Sequence, residues 1–177
     1  MTDGQRILGI DPGSRVTGFG VVDLVDGRPV YEASGAIRTA DGDFPDRLRQ
    51  IFKAVGEVVE SYSPTIVAIE NVFMARNAAS ALKLGQARSA ALCATFAIEA
   101  DVFEYSPREV KLAVVGTGAA TKEQVQHMIL SLLNLAGDPC ADAADALAVA
   151  VCHAHQRETR ARLDASAALA GIRAGLR

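Results

Sequence analysis

A short apolar run that closes on an acid and then on a chain-breaking pair sets the first constraint: Ile7-Leu8-Gly9-Ile10-Asp11-Pro12-Gly13. The run is too short for a helical period before Pro-Gly forces a turn, so Arg6–Asp11 reads as a buried strand with a carboxylate at its exit. The pattern recurs in Ile66-Val67-Ala68-Ile69-Glu70. A variant follows in Ala141-Asp142-Ala143-Ala144-Asp145-Ala146-Leu147, where i, i+3 spacing puts both acids on one helix face.

The other elements follow from punctuation and period. Gly18–Leu24 and Val30–Arg38 read as strands around the hairpin pair Asp26-Gly27. Leu48, Ile51, Phe52, Val55, Val58 and Val59 give Phe44–Tyr62 helical spacing, stopped by Ser63-Pro64. Thr65–Glu70 is a strand, Ala78–Ala100 a long helix of small residues, and Val102–Tyr105 a fifth strand. Ser106-Pro107-Arg108-Glu109 and Thr121-Lys122-Glu123-Gln124 are capping-box helix starts. Gly137-Asp138-Pro139 ends the second of these helices, and Ala141–His155 is the last clear one. Three strands followed by alternating helices and strands predict an α/β fold with a five-stranded mixed β-sheet flanked by α-helices. The expected division is one domain over residues 1–155 and a C-terminal tail over 156–177, weakly helical or disordered.

Cys93, Cys140 and Cys152 are scattered and odd in number, which argues for reduced, cytoplasmic thiols and against a disulfide framework or zinc ribbon. No apolar run approaches the ~18 residues of a membrane span, and no export signal is read at the start. The formal net charge of −3 is unpromising for a nucleic-acid partner, but the charges are segregated. Residues 1–70 hold 11 acids and 7 bases, whereas Val72 to Ile98 holds Arg76, Lys83 and Arg88 and no acid. Arg108, Lys111 and Lys122 extend this basic shoulder.

Taken alone, an acid at a strand end or helix start has an ordinary explanation as a turn or helix cap. Asp145 is the exception, because it lies inside a helix on an apolar surround with no Lys or Arg within a turn. If Asp11, Glu70, Asp142 and Asp145 converge, repulsion decides the chemistry. Two carboxylates ~5 Å apart repel by roughly 3 kcal/mol at an effective dielectric of ~20. Four require cations, and hard oxygen donors favour Mg²⁺, with Mn²⁺ as substitute, over zinc. Two such ions can clamp the attacking and leaving oxygens of a phosphodiester. Asp11 is the expected bridging ligand, Glu70 the ligand on the water side, and Asp142 with Asp145 the ligands on the other.

The ordered motifs are more specific than any single acid. Ile10-Asp11-Pro12-Gly13-Ser14-Arg15-Val16-Thr17-Gly18, Ala68-Ile69-Glu70-Asn71-Val72-Phe73 and Ser80-Ala81-Leu82-Lys83-Leu84-Gly85-Gln86-Ala87-Arg88 come first. Val110-Lys111, Val114-Val115-Gly116, Lys122, Gln124-Val125-Gln126-His127-Met128 and Asp142-Ala143-Ala144-Asp145-Ala146-Leu147-Ala148 follow. Together they resemble the RuvC-type Holliday-junction resolvases from Ile7 to His155. The resemblance implies a ribonuclease-H-like fold and a homodimer that nicks four-way junction DNA symmetrically with Mg²⁺ and water, as a crossover junction endodeoxyribonuclease. It also implies cooperation with the RuvA and RuvB branch-migration proteins in recombination and repair. It makes Asp11, Glu70, Asp142 and Asp145 the catalytic and metal-binding acids, Asp142 the less strict ligand because some relatives carry His there. Lys111 and Lys122 become lysines near the DNA backbone, Lys122 catalytic, and Phe73 an aromatic that stacks on an unpaired base.

The bases Arg76, Lys83, Arg88, Arg108 and Lys111 are then expected to contact phosphates. For any one of them a solvated surface is the competing reading. Lys122 at a helix start is mildly unfavourable with the dipole, which tilts its reading towards function. His127, His153 and His155 read as structural, and Gly116-Thr117-Gly118 is too weak for a nucleotide loop. The small-residue helix is either core or the dimer interface. Three rival functions remain: a non-catalytic junction-binding protein, an actin- or sugar-kinase-like ATP-binding protein, and a different ribonuclease-H-like nuclease acting on RNA–DNA hybrids. The second needs another lobe and another phosphate loop, and this sequence shows neither.

Overall fold

The computed structural model describes residues 4–71 and 77–175. Strands β1 (Gln5–Asp11), β2 (Val16–Val25) and β3 (Arg28–Arg38) form a meander. Helix α1 (Phe44–Tyr62), strand β4 (Ile66–Glu70) and helix α2 (Ala78–Ala94) follow. A 3₁₀ turn (Thr95–Ala97) leads to β5 (Asp101–Tyr105), α3 (Pro107–Val115), α4 (Lys122–Leu132) and α5 (Ala141–Gly175). The sheet order is β3-β2-β1-β4-β5, antiparallel across the meander and parallel from β1 through β4 to β5. Asp26 and Gly27 both take positive φ, so the predicted pair makes the tight turn of the β2–β3 hairpin.

Side-chain alternation splits the core in two. Leu8, Ile10, Val21, Val67 and Ile69 meet Ile51, Val55 and Val59 of α1 and Ala87, Ala91 and Ala94 of α2. On the opposite face Ile7, Val22, Ile66 and Ala68 meet α3, α4 and the first half of α5. There the sheet presents glycine. A Cβ on Gly9 or Gly18 would run into the α5 carbonyls of Ala146 and Asp142, and one on Gly20 would lie 2.7 Å from the Leu147 nitrogen. Only glycine admits a helix backbone this close to a strand.

The predicted long helix Ala78–Ala100 is shorter than expected. The Thr95 hydroxyl donates to the Leu92 carbonyl, the chain tightens into the 3₁₀ turn, and Ile98 is extended. Helical backbone in α5 continues beyond His155 to Gly175. Among the described residues, no helix is long and apolar enough to cross a membrane.

Candidate active site

Asp11 is the last residue of β1 and pairs with Gly18 of β2, the glycine on which the Asp142 carbonyl of α5 rests. The close packing of α5 therefore brings its first turns over the exit of β1. The turn after Asp11 is held from inside and outside. The buried Thr17 hydroxyl donates to the Gly13 carbonyl at 2.9 Å. The Arg47 guanidinium of α1 donates twice to the Ser14 carbonyl.

Glu70 ends β4, next to β1, and its carboxyl hydrogen-bonds that of Asp11. Burial is the first cause that pushes Asp11 up, to about 8; the hydrogen bond to Glu70 and the charges of Glu70 and Asp145 add to it, and Lys122 opposes them. Glu70 is also raised, first by burial and then by Asp145, against the lowering effects of Asp11, Lys122 and Lys111. Both acids thus sit above the ordinary carboxylate range, Asp11 the more strongly. Asp145 is only 18 % exposed and receives Lys122 Nζ at 2.9 Å. Lys122 is the first residue of α4 after the cap Thr121, whose capping box with Gln124 forms as expected. The Ser106–Glu109 capping box and Pro107 start α3, which carries Lys111 within electrostatic reach of Glu70.

The structure thus brings together Asp11, Glu70, Asp145, Lys111 and Lys122. Asp142 lies one turn before Asp145, and its side chain makes no hydrogen bond or ion pair with a described residue. Among the described residues, no three acidic, histidine or cysteine side chains stand ready as a metal cage.

The predicted phosphate contacts divide. Lys83 is exposed and lies 5.8 Å from the Phe44 ring centroid, with Arg47 5.4 Å from the same centroid. Arg108 is exposed and packs against the α3–α4 loop, where a Cβ on Gly118 would stand 2.7 Å from its Cγ. Arg88 departs from expectation: its side chain is 17 % exposed and engaged with Glu104 and the Glu70 carbonyl, so it is not a free surface cation. Phe73 and Arg76 lie outside the described residues.

Sequence reasoning missed the roles of Arg47 and Arg88, which bond to carbonyls far along the chain where no local pattern marks such bonds, and of Thr17, which braces its own turn through Gly13. His153 is buried as expected and bonds through Nδ1 to the Tyr105 hydroxyl at 2.8 Å. It lines a cavity of about 770 Å³ with Phe103, Tyr105 and Leu112. None of the four acids lines that cavity, and the carboxylates mark the chemistry better than its volume does.

Residues 7–153 match the family model of the crossover junction endodeoxyribonuclease RuvC. The chain belongs to the RuvC family. The RuvC of Methylococcus capsulatus is 56% identical over 158 residues, covering 89% of this chain and 95% of that protein. The RuvC of Photobacterium profundum is 58% identical over 153 residues, covering 86% and 88%. Among solved structures, Thermus thermophilus RuvC in complex with a Holliday junction substrate superposes with a TM-score of 0.81 at 34% identity, covering 88% of this chain and 96% of that one. The mixed sheet with flanking helices is accordingly the ribonuclease-H-like fold of RuvC.

Proposed function

We infer that this chain is a structure-selective endodeoxyribonuclease that resolves Holliday junctions by paired symmetric nicks, a phosphodiester hydrolase of recombination and repair. The observation that carries the chemistry is the half-buried Asp11–Glu70 pair beside Asp145 and Lys122, in a chain that matches RuvC over residues 7–153.

The nucleases of this family are metal-dependent. The donor set fits a hard divalent cation: every candidate ligand is a carboxylate oxygen. The two nearby lysines do not offset burial and the crowding of carboxylates, so Asp11 and Glu70 stay raised, and a cation would offset that cost. Asp11, Glu70, Asp145 and Asp142 would hold Mg²⁺ or Mn²⁺, two ions per site. Bound there, the ions supply Lewis acidity and an activated water. Asp11 at the strand end, Glu70 and the α5 acids would hold the cations from the sheet and helix sides of the site, where they would activate water and stabilise the leaving oxygen. Lys122, 72% exposed at the Nζ-bearing side chain, orients Asp145 and presents an ammonium to a phosphate laid across the start of α4. Lys111, Lys83 and Arg108, with Arg76, position the DNA backbone, and Phe73 stacks on an unpaired base, a contact worth about 1–3 kcal/mol.

A four-way junction needs two cuts, and a twofold homodimer supplies two sites. Helix α2 supports that assembly: it buries only Ala87, Ala91 and Ala94, while Leu82 is 69% and the adjoining Phe96 63% exposed. RuvA and RuvB are the proposed cytoplasmic partners.

The test is nicking of a synthetic mobile four-way junction in Mg²⁺ or Mn²⁺ by wild type and Asp11→Asn. Linear duplex, RNA–DNA hybrid and single strand serve as controls. Paired symmetric nicks in the junction alone, lost in Asp11→Asn with binding retained, are expected. Junction binding without cleavage in either metal would replace this reading with a non-catalytic binder. Thermal stabilisation by Mg-ATP without cleavage would favour the ATP-binding reading.

A further inference from the structure

The backbone around Glu70 is held on one side only by the sheet. Pairing between β4 and β1 ends at Ile69 and Ile10, one residue short of Glu70. Glu70 pairs with Tyr105 of β5, and the next amide, Asn71 N–H, donates to the Tyr105 carbonyl at 2.7 Å. On the β1 side the ladder has no further rung, so the Glu70 carbonyl needs a partner from elsewhere.

Arg88 of α2 supplies it. Its Nε donates to the Glu70 carbonyl oxygen at 3.2 Å. A terminal nitrogen of the same guanidinium lies 2.7 Å from Glu104 Oε1 on β5, at an angle that makes the contact an ion pair rather than an aligned hydrogen bond. Arg88 first, and Asn71 to a lesser degree, hold the Glu104 carboxyl below the usual carboxylate range. Helix α2, strand β5 and the two residues at the end of β4 are thereby tied through one planar cation. That nitrogen is buried, so a phosphate would have to displace Glu104 to reach it.

We propose that Arg88 is a positioning residue for the Glu70 carboxylate, acting through the Glu70 carbonyl and Glu104, and does not contact DNA phosphate. The proposal rests on the reading of Glu70 as a catalytic acid. A carboxylate on the last strand residue moves with the peptide that follows it, and a modest rotation there misplaces the ligand. Only a guanidinium spans both acceptors: its fork presents donors in fixed directions, whereas a lysine ammonium meets one or the other.

The experiment uses the full chain and a synthetic four-way junction. It compares wild type, Arg88→Ala, Arg88→Lys, Glu104→Gln and Glu70→Gln. The readouts are the single-turnover cleavage rate at saturating protein, the junction Kd with its salt dependence in EDTA, and thermal unfolding. Arg88→Ala is expected to cleave about tenfold more slowly or worse, the usual cost of losing a residue that orients a ligand. Its Kd stays within about twofold and its salt slope does not change. Arg88→Lys recovers part of the rate, and Glu104→Gln loses less because Arg88 still bonds the Glu70 carbonyl. A weakened Kd with a salt slope lower by about one, and a normal rate at saturation, would identify a phosphate contact and overturn the proposal. A wild-type rate in Arg88→Ala would overturn it too. Should Arg88→Ala fail to fold, Arg88→Lys decides: slowed cleavage at unchanged Kd supports the proposal, and wild-type cleavage sinks it. Wild-type cleavage by Glu70→Gln would instead remove the reading of Glu70, an outcome visible independently of every Arg88 result.

Discussion

Helices α2 and the first half of α5 have nearly the same vocabulary, alanine relieved by a few larger residues, and the fold uses them in opposite ways. Almost every residue from Ala143 to Ala154 is buried, whereas α2 buries Ala87, Ala91 and Ala94 and leaves most of its surface open. The difference lies in what receives them. Beneath α5 the sheet offers Gly9, Gly18 and Gly20, so helix and strands meet backbone to backbone, and α3 and α4 close over the remaining sides. Beneath α2 it offers Leu8, Ile10, Val67 and Ile69, which α2 shares with α1. A small-residue helix is therefore not intrinsically core or interface. The residues it lies on decide.

The sharpest way to break this comparison is to give Gly18 a side chain. Gly18→Val drives a Cβ into the Asp142 carbonyl, which belongs to helix backbone and cannot yield. The expected loss exceeds about 4 kcal/mol, seen as insolubility or a collapsed Tm. A well-folded variant with the wild-type melting curve would refute the close packing of α5. Leu147→Ala, at a fully buried α5 position, should cost about 3 kcal/mol in urea unfolding.

A smaller effect separates the two helices by pH. Burial holds His153 of α5 down to about 4, so the folded chain prefers the neutral ring. That contribution is complete above the ordinary histidine value near 6.5 and is lost as pH falls from there through about 4. His153 should contribute about 2 kcal/mol less to stability at pH 5 than at pH 7.5, against the opposite trend set by the raised Asp11 and Glu70. Urea midpoints of wild type and His153→Gln at the two pH values isolate it: the variant should lose about 2 kcal/mol less, relative to wild type, on going to pH 5. The smallest change in folding belongs to α2. Leu82→Lys should alter unfolding by no more than about 0.5 kcal/mol, because the side chain is exposed. On the proposed dimer, the same variant should shift sedimentation towards monomer; an unshifted dimer would move the proposed interface off this face.

Much of this arrangement was legible in the residues. Asp11 and Glu70 each end a short apolar run, and strands built that way deliver their last side chains to one edge. The capping boxes at Ser106 and Thr121 placed Lys111 within α3 and Lys122 at the start of α4 because the cap chemistry is local. What escaped was non-local. Nothing near Arg88 announces a bond to a carbonyl 18 residues away, and its basic neighbourhood suggested a free cation. The end of α2 was misjudged because Thr95-Phe96-Ala97 continues an apolar pattern while the Thr95 hydroxyl turns the backbone. Asp11 and Asp145 lie too far apart for any window to join them. Only the glycines of β1 and β2, read together with the alanines of α5, carry that information.

The seating of α5 on those glycines also has a consequence in time. Synthesis runs from the N-terminus, and β1, the middle strand of the sheet, is made long before the helix that covers it. Asp11 leaves the ribosome with Asp145 still 134 residues away, a contact of high order that closes late. A nascent chain that has completed β5 already carries Asp11 and Glu70, yet it has neither Asp145 nor the helix that sets the site's depth. The cutting site is thus acquired only once α5 has been made, well after its first two carboxylates.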